Sequence, residues 1–224
     1  MPTTPREFDI IVYGATGYTG RLVAEYLQDK AGLKWAMAGR SLTKLQEVRD
    51  LIGAAADTPL VVADADDPAS LEAMAKRTKV VLTTVGPYQL YGEPLVKACV
   101  EAGTDYTDLC GEPVWMRQMI DKYHDAAKTS GARITFSAGF DSIPFDLGVL
   151  MLQKEAVSRN GSPDPREKSR VRAMQGGFSG GTAASLKETL KTLAKHPSLT
   201  PYMLSPFGLT PGFDGPSQPT GMIP

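Results

Sequence analysis

The chain is poor in the residues that build metal centres and disulfide frameworks. Its 224 residues hold two cysteines, Cys99 and Cys110, and two histidines, His124 and His196. Two cysteines do not make a stapled scaffold, and histidines without paired ligands predict no metal site. An excess of one charge is lacking too: 24 Lys and Arg stand against 25 Asp and Glu. With the bases scattered, that balance argues against nucleic acid or an anionic membrane surface as a partner. The densest basic patch, "PDPREKSR" at Pro163–Arg170, reads as a solvated loop. No apolar run approaches the roughly 20 residues that span a bilayer. The opening "MPTTPREFD" lacks the basic-then-apolar layout of a targeting signal. The expectation is a soluble, cytoplasmic protein.

What is present is rhythm. Short β-rich runs, "DIIVYG", "KWAMAG", "PLVVAD", "KVVLTTVG", "TDYTDL" and "RITFSAG", alternate with helical patterns at 18–31, 42–52, 68–77, 93–102 and 113–130. That alternation predicts a doubly wound α/β fold with a parallel sheet covered on both faces, a Rossmann domain over residues 1–146. The rhythm then breaks. A helix is expected at 144–158, a strand at "SRVRAMQGG" and a helix at 182–195, as the start of a second α+β domain over 147–224. From about residue 197 the chain is dense in proline and glycine. So long a structureless tail argues against a finished domain, and the expectation is an N-terminal fragment or truncated product of a larger protein, with a disordered end as the alternative.

The first strand runs into "GATGYTG", with Gly14, Gly17 and Gly20 at steps of three. Glycines so placed allow a tight turn, close approach of a diphosphate to the main chain, and close packing of helix on sheet. The helix that opens there points free N–H groups and a positive dipole end at the phosphates. Gly14, Thr16, Gly17, Tyr18, Thr19 and Gly20 are therefore candidate cofactor-binding residues. The spacing is G-x-x-G-x-x-G rather than G-x-G-x-x-G; a purely structural turn is the competing reading. The second strand ends at Gly39-Arg40-Ser41, where an acid would bind a ribose 2′-hydroxyl. Arg40 offers a cationic fork and Ser41 a hydroxyl for a 2′-phosphate, which favours NADP over NAD, with a surface arginine capping the strand end as the alternative. Asp64, ending the third strand, meets the adenine side or serves only as a turn residue. Val85, Gly86 and Pro87, after the fourth strand, are placed to pass close to the nicotinamide ribose; Pro87 as a plain turn residue is the alternative.

The blocks "GATGYTG", "AGR", "VGPYQLYGEPLVKACVEAGTDYTDLCGEP" and "SAGFDSIPFDLG", in order over roughly residues 8–150, resemble the saccharopine dehydrogenase-like oxidoreductases. That family includes bacterial trans-acting enoyl reductases. The resemblance implies an NADP(H)-binding Rossmann domain, then a second α+β domain and a return of the chain. The implied activity is hydride transfer to a carbonyl or an activated C=C. In mycobacterial-type members it is reduction of a polyketide-type acyl chain in lipid biosynthesis.

Candidate proton donors cluster after the strands. Tyr88 is a catalytic candidate, with aromatic packing as the alternative; Asp141, in "GFDSIP", is a second, with helix capping as the alternative. Glu112, before Pro113, reads as a helix cap, and Cys110 as a buried strand-end residue. The pairing Tyr26…Lys30 has short-chain-dehydrogenase spacing but lies inside the first helix. "QGGFSGGT" at Gln175–Thr182 either lines the cleft or is a tight connection. The stripe Leu186, Leu190, Leu193 fits core, a homodimer contact or an acyl-pocket wall; peripheral lipid association is compatible with it. The competing function is a non-catalytic NADP-binding redox sensor or lipid-associated scaffold.

Overall fold

The computed structural model describes residues 5–177, 179–213 and 215. The sheet starts at β1 (Phe8–Tyr13), where alternation by two divides the strand between faces. Ile11 and Tyr13 enter one core; Val12, with Ile10 packed beside it, enters the other. The remaining strands are β2 (Trp35–Gly39), β3 (Leu60–Val62), β4 (Thr78–Thr83), β5 (Asp105–Thr107) and β6 (Ile134–Thr135). Every pairing is parallel, and the order is β3-β2-β1-β4-β5-β6. The order reverses between β1 and β4, so a crevice opens at their carboxyl ends.

Helices cover both faces. Ala24 and Leu27 of α1 (Tyr18–Gln28) and Leu45 of α2 (Leu42–Leu51) pack with Val12 and Met37. On the other face lie α3 (Pro68–Ala75), α4 (Tyr88–Ala102) and α5 (Pro113–Ser130), whose Leu71, Met74, Val96, Cys99, Trp115 and Met119 fill the larger core. Gly103 and Gly131 end α4 and α5 in left-handed conformation, as glycine allows.

Helix α4 begins five residues before the expected start at Glu93 and carries Pro94 inside it. Beyond the sheet stand α6 (Ile143–Asn160), α7 (Gly180–Lys195), a 3-10 turn at Pro197–Leu199 and α8 (Thr200–Leu204). The strand expected at "SRVRAMQGG" is absent: residues 169–177 are irregular and exposed. The sheet's edge strands, β3 and β6, are three and two residues long, and this charged, exposed segment pairs with neither. The stretch after residue 197 is not structureless either. Its helix α8 packs on α5, where the Arg117 guanidinium lies 4.9 Å from the Tyr202 ring centre and donates to the Gly208 carbonyl at 2.9 Å. The end of the expected tail lies outside the described residues. Helix α6 keeps no buried residue, although Phe145, Leu147, Leu150 and Leu152 lie along it. Among the described residues, no helix is long and apolar enough to cross a membrane.

Candidate cofactor site

The turn out of β1 is made of contacts that tolerate no side chain at two positions. Gly14 has φ +91°, and both its amide and that of Ala15 donate to the Ala38 carbonyl. A Cβ on Gly14 would stand 2.8 Å from Thr84 Oγ1 and from Val85 Cγ2. One on Gly20 would stand 2.1 Å from the Gly14 carbonyl oxygen. The start of α1 therefore lies directly against the end of β1, and Gly17 is its N-cap with no side chain capping the helix. Tyr18, Thr19 and Gly20 thus open the helix with amides that no side chain takes, the arrangement that holds a phosphate.

A cleft of about 300 Å³ lies in front of this turn. Gly14, Thr16, Gly17, Arg40, Asp64, Val85 and Gly86 line it, together with Tyr13, Gly39, Ala65, Asp66, Thr84 and Tyr91. Arg40 is exposed and, among the described residues, makes no hydrogen bond or ion pair with another side chain. Its guanidinium is uncommitted at the rim. Ser41 is the N-cap of α2, its Oγ accepting from the Lys44 amide at 3.3 Å. The hydroxyl proton is left for another acceptor. Asp64 folds its carboxylate onto the Asp66 amide at 3.1 Å, while Asp67 caps α3. Burial, with Asp64 nearby, pushes the Tyr13 phenol up to about 12.

Residues 84–87 cross from β4 to α4 along the cleft. Thr84 is bound at its amide to the Tyr13 carbonyl (3.0 Å) and at Oγ1 to the Gly14 carbonyl (3.3 Å). The Gly86–Pro87 peptide is cis. At the other end, Glu112 is buried and accepts from the amides of Tyr88 and Gln89, each at 2.9 Å. Glu112 therefore caps α4, not α5: it sits at the N-cap position of α5 yet makes no side-chain bond there. This also explains the early start of α4, because its first amides have a partner supplied from far along the chain.

A second cavity, about 480 Å³, shares Thr84 and Gly86 with the cleft. Thr19, Tyr88, Leu109, Asp141, Ser179, Thr182, Ser185, Leu186 and Met203 are among its walls. The two glycine-containing segments thus meet: α7 reaches α4 through Gln89, which donates to Thr189 Oγ1 (2.9 Å) and accepts from Thr192 (2.6 Å). Tyr88 is buried, donates to the Thr83 carbonyl at 3.3 Å and stacks 5.5 Å from Trp115. Burial and the neighbouring Asp108 push its phenol well above the usual range. Asp141 is exposed and, among the described residues, makes no hydrogen bond. Cys110 is buried, its thiol pushed up by burial, and its sulfur accepts from the Glu112 amide at 3.3 Å.

The geometry brings most of the expected cofactor residues to one cleft. Tyr18, Thr19, Gly20, Ser41 and Pro87 do not line it: Tyr18 is 70% exposed, Thr19 faces the second cavity, and Gly20 is buried behind the turn. Sequence reading missed Thr84, which clasps the turn; the signal was a hydroxyl one step before Val85 at the end of β4. Among the described residues no group of His, Cys, Asp or Glu could hold a metal ion.

The cradle fits a dinucleotide phosphate by its own geometry: amides at an uncapped helix start, glycines where a methyl would collide, and an uncommitted guanidinium at the cleft rim. Comparison with known proteins agrees. Residues 10–134 match the family model for the saccharopine dehydrogenase NADP-binding domain, which assigns NADP as the cofactor. A Mycobacterium tuberculosis protein provisionally named a trans-acting enoyl reductase is 50% identical over 213 residues, covering 92% of this chain and 51% of its own length. A trans-acting enoyl reductase of Mycobacterium bovis is 46% identical over 214 residues, covering 94% and 51%. The chain spans about half the length of the curated relatives it matches. Apo saccharopine dehydrogenase (L-Glu forming) from Saccharomyces cerevisiae has the same fold at a TM-score of 0.55 and 17% identity, covering 69% of this chain and 32% of its own. The chain belongs to the saccharopine dehydrogenase NADP-binding domain family.

Proposed function

We propose that this chain carries the NADP(H) site of an oxidoreductase that reduces an activated double bond or carbonyl on a neutral acyl substrate. The observation that carries this reading is the second cavity. It adjoins the cofactor cleft through Thr84 and Gly86, its walls mix aliphatic side chains with serine and threonine hydroxyls, and among the described residues no Lys, Arg or His lines it. A dicarboxylate such as saccharopine needs cations, because its charges must be paired once out of water. The cavity offers Asp141 instead. An apolar acyl chain beside an enone or thioester carbonyl suits those walls, and the two relatives above are named enoyl reductases.

The residues divide the work. The α1 amides and Gly17 hold the pyrophosphate; Arg40 and Ser41 grip the 2′-phosphate; Thr84, Val85 and Gly86 shape the passage between the two cavities. NADPH, when bound, supplies the hydride. Asp141 is the titratable group free to accept or relay a proton at the second cavity, whereas the Tyr88 hydroxyl is engaged by the Thr83 carbonyl. We assign Tyr88 to packing and Asp141 to the substrate side. Residues 1–146 form the cofactor unit in this reading, and those after it contribute α7 to the cavity wall.

Calorimetric titration with NADPH, followed by NADPH oxidation against a panel of enoyl thioesters, ketones and saccharopine, tests the proposal. Turnover with a neutral enoyl or carbonyl compound and none with saccharopine is expected. Turnover of saccharopine alone refutes the substrate class, and absence of any nucleotide binding refutes the cofactor site. Tight binding without turnover across the panel favours the redox-sensor alternative.

A further inference from the structure

Glu112 is a buried carboxylate that the cofactor site does not use directly. Its backbone starts α5, while its two oxygens reach across to α4, taking the amides of Tyr88 and Gln89 at 2.9 Å each. The next two amides of α4, those of Leu90 and Tyr91, are held by the Pro87 carbonyl at 3.1 and 3.2 Å. The Tyr91 bond is the first regular turn of the helix. The N-cap Pro87 has no N–H, so the three amides that this helix start leaves without regular partners, those of Tyr88, Gln89 and Leu90, are all satisfied. The negative charge also lies at the positive end of the α4 dipole.

The segment this fixes is the one at the cofactor. Residues 84–87 are four in number and are clasped at their first residue by Tyr13 and Gly14. Glu112 clasps the first residue after them. Gly86 lies between, on the wall shared by both cavities. We propose that Glu112 is a positioning residue for the nicotinamide half of the cofactor: it holds residues 84–87 in place from the α4 side and touches neither cofactor nor substrate. This rests on the cofactor reading above.

The adenine half, gripped at Arg40 and the α1 start, is anchored by other elements. The test therefore compares NADPH with 2′,5′-ADP, which carries the adenosine with its 2′- and 5′-phosphates and lacks the nicotinamide half. In the full chain, Glu112→Gln turns one acceptor into a donor facing an amide N–H. NADPH should bind about tenfold more weakly, about 1.4 kcal/mol, with 2′,5′-ADP affinity within about twofold. Glu112→Asp keeps the charge but draws it back by one methylene, so a smaller loss confined to NADPH is expected. If Glu112→Gln does not fold, Glu112→Asp reads the same split. A folded variant with unchanged NADPH affinity overturns the proposal. Equal losses for both ligands also overturn it, since they show a general structural role. Should the unaltered chain bind neither ligand, the cofactor reading itself falls; binding of both without a split in the variants removes only the role of Glu112.

Discussion

The sharpest test of the turn is a pair of alanine substitutions three positions apart. At Gly20 the added methyl would stand 2.1 Å from the Gly14 carbonyl oxygen, 2.7 Å from its carbon and 2.8 Å from Thr84 Oγ1. Two of these obstacles are backbone, so nothing flexible can swing aside. Ordinary contact begins at 3.4 Å, and α1 must withdraw from β1 by the difference, about 1.3 Å. Overpacking of this kind costs about 1–3 kcal/mol or more. At the upper figure, a chain of this size loses about 6–12 °C in Tm. Gly17 differs. Its φ is −81°, open to any residue, and its added methyl stands 3.4 Å from the Gly14 carbonyl oxygen. Gly17→Ala should therefore cost no more than about 1 kcal/mol, through the weaker helix cap. Yet Gly17 lines the cleft, and its methyl would occupy space the pyrophosphate needs. The expected result is a separation: Gly20→Ala lowers Tm sharply, while Gly17→Ala folds near normally and binds NADPH at least about tenfold more weakly. Differential scanning fluorimetry and calorimetric titration read the two quantities. Native Tm for Gly20→Ala would refute the packing argument; native NADPH affinity for Gly17→Ala would refute the phosphate placement.

Arg40→Asp should weaken NADPH binding by about 10–100-fold, the loss of a charge-assisted pair, and leave NADH little changed; equal responses in a fluorescence titration would remove Arg40 from the 2′-phosphate. Gly92→Ala sets a methyl 2.5 Å from Trp115 Cζ2. That ring is held between Tyr88 and Phe136 at 5.5 and 5.4 Å, so a loss of about 1–3 kcal/mol is expected in urea unfolding followed by tryptophan fluorescence. Arg77 holds the Glu7 carboxyl, and Lys79 the Asp9 carboxyl, below their usual values of 4.5 and 3.8. Depressed carboxylates stabilise above their unfolded pKa and lose that contribution as pH falls through the folded one. Tm should therefore drop as pH falls from about 5 to 3, and 1 M salt should flatten the slope, since these pairs are exposed; a salt-independent slope would point to buried groups instead.

The parts legible in the sequence were those set by neighbours in the chain. The six strands and the glycine turn follow from alternation by two and from three glycines at fixed steps, and these signals survive without tertiary knowledge. The start of α4 did not, because the residue that satisfies its first amides is Glu112, more than 20 positions away. Locally, Pro94 suggests a helix beginning at Glu93; a distant cap overrides it. The strand expected at 169–177 failed for the opposite reason. Its β-like alternation is real, but a strand needs an edge to pair with, and β6 ends the sheet with two residues. The role of Ser41 was half legible: a hydroxyl at a strand end was visible, its use as the α2 cap was not.

Two helices begin beside the same cleft, and their opposite treatment is what sorts the chemistry. Helix α1 starts at Gly17, which lines the cleft, and no side chain claims its first amides. Helix α4 starts at Pro87, and its first amides are taken by a buried carboxylate and the Pro87 carbonyl. An anion approaching the crevice finds partners at α1 and a negative charge behind α4. In the proposed reading this directs the pyrophosphate to the β1 side of the switch point and leaves the dihydronicotinamide, uncharged in NADPH, for the β4 side. Reversing that asymmetry, by giving Gly17 a carboxylate, would close α1 in the way Glu112 closes α4. Gly17→Asp should accordingly retain the fold, since aspartate is a good N-cap, and abolish NADPH binding, because charge and cap now compete with the phosphate.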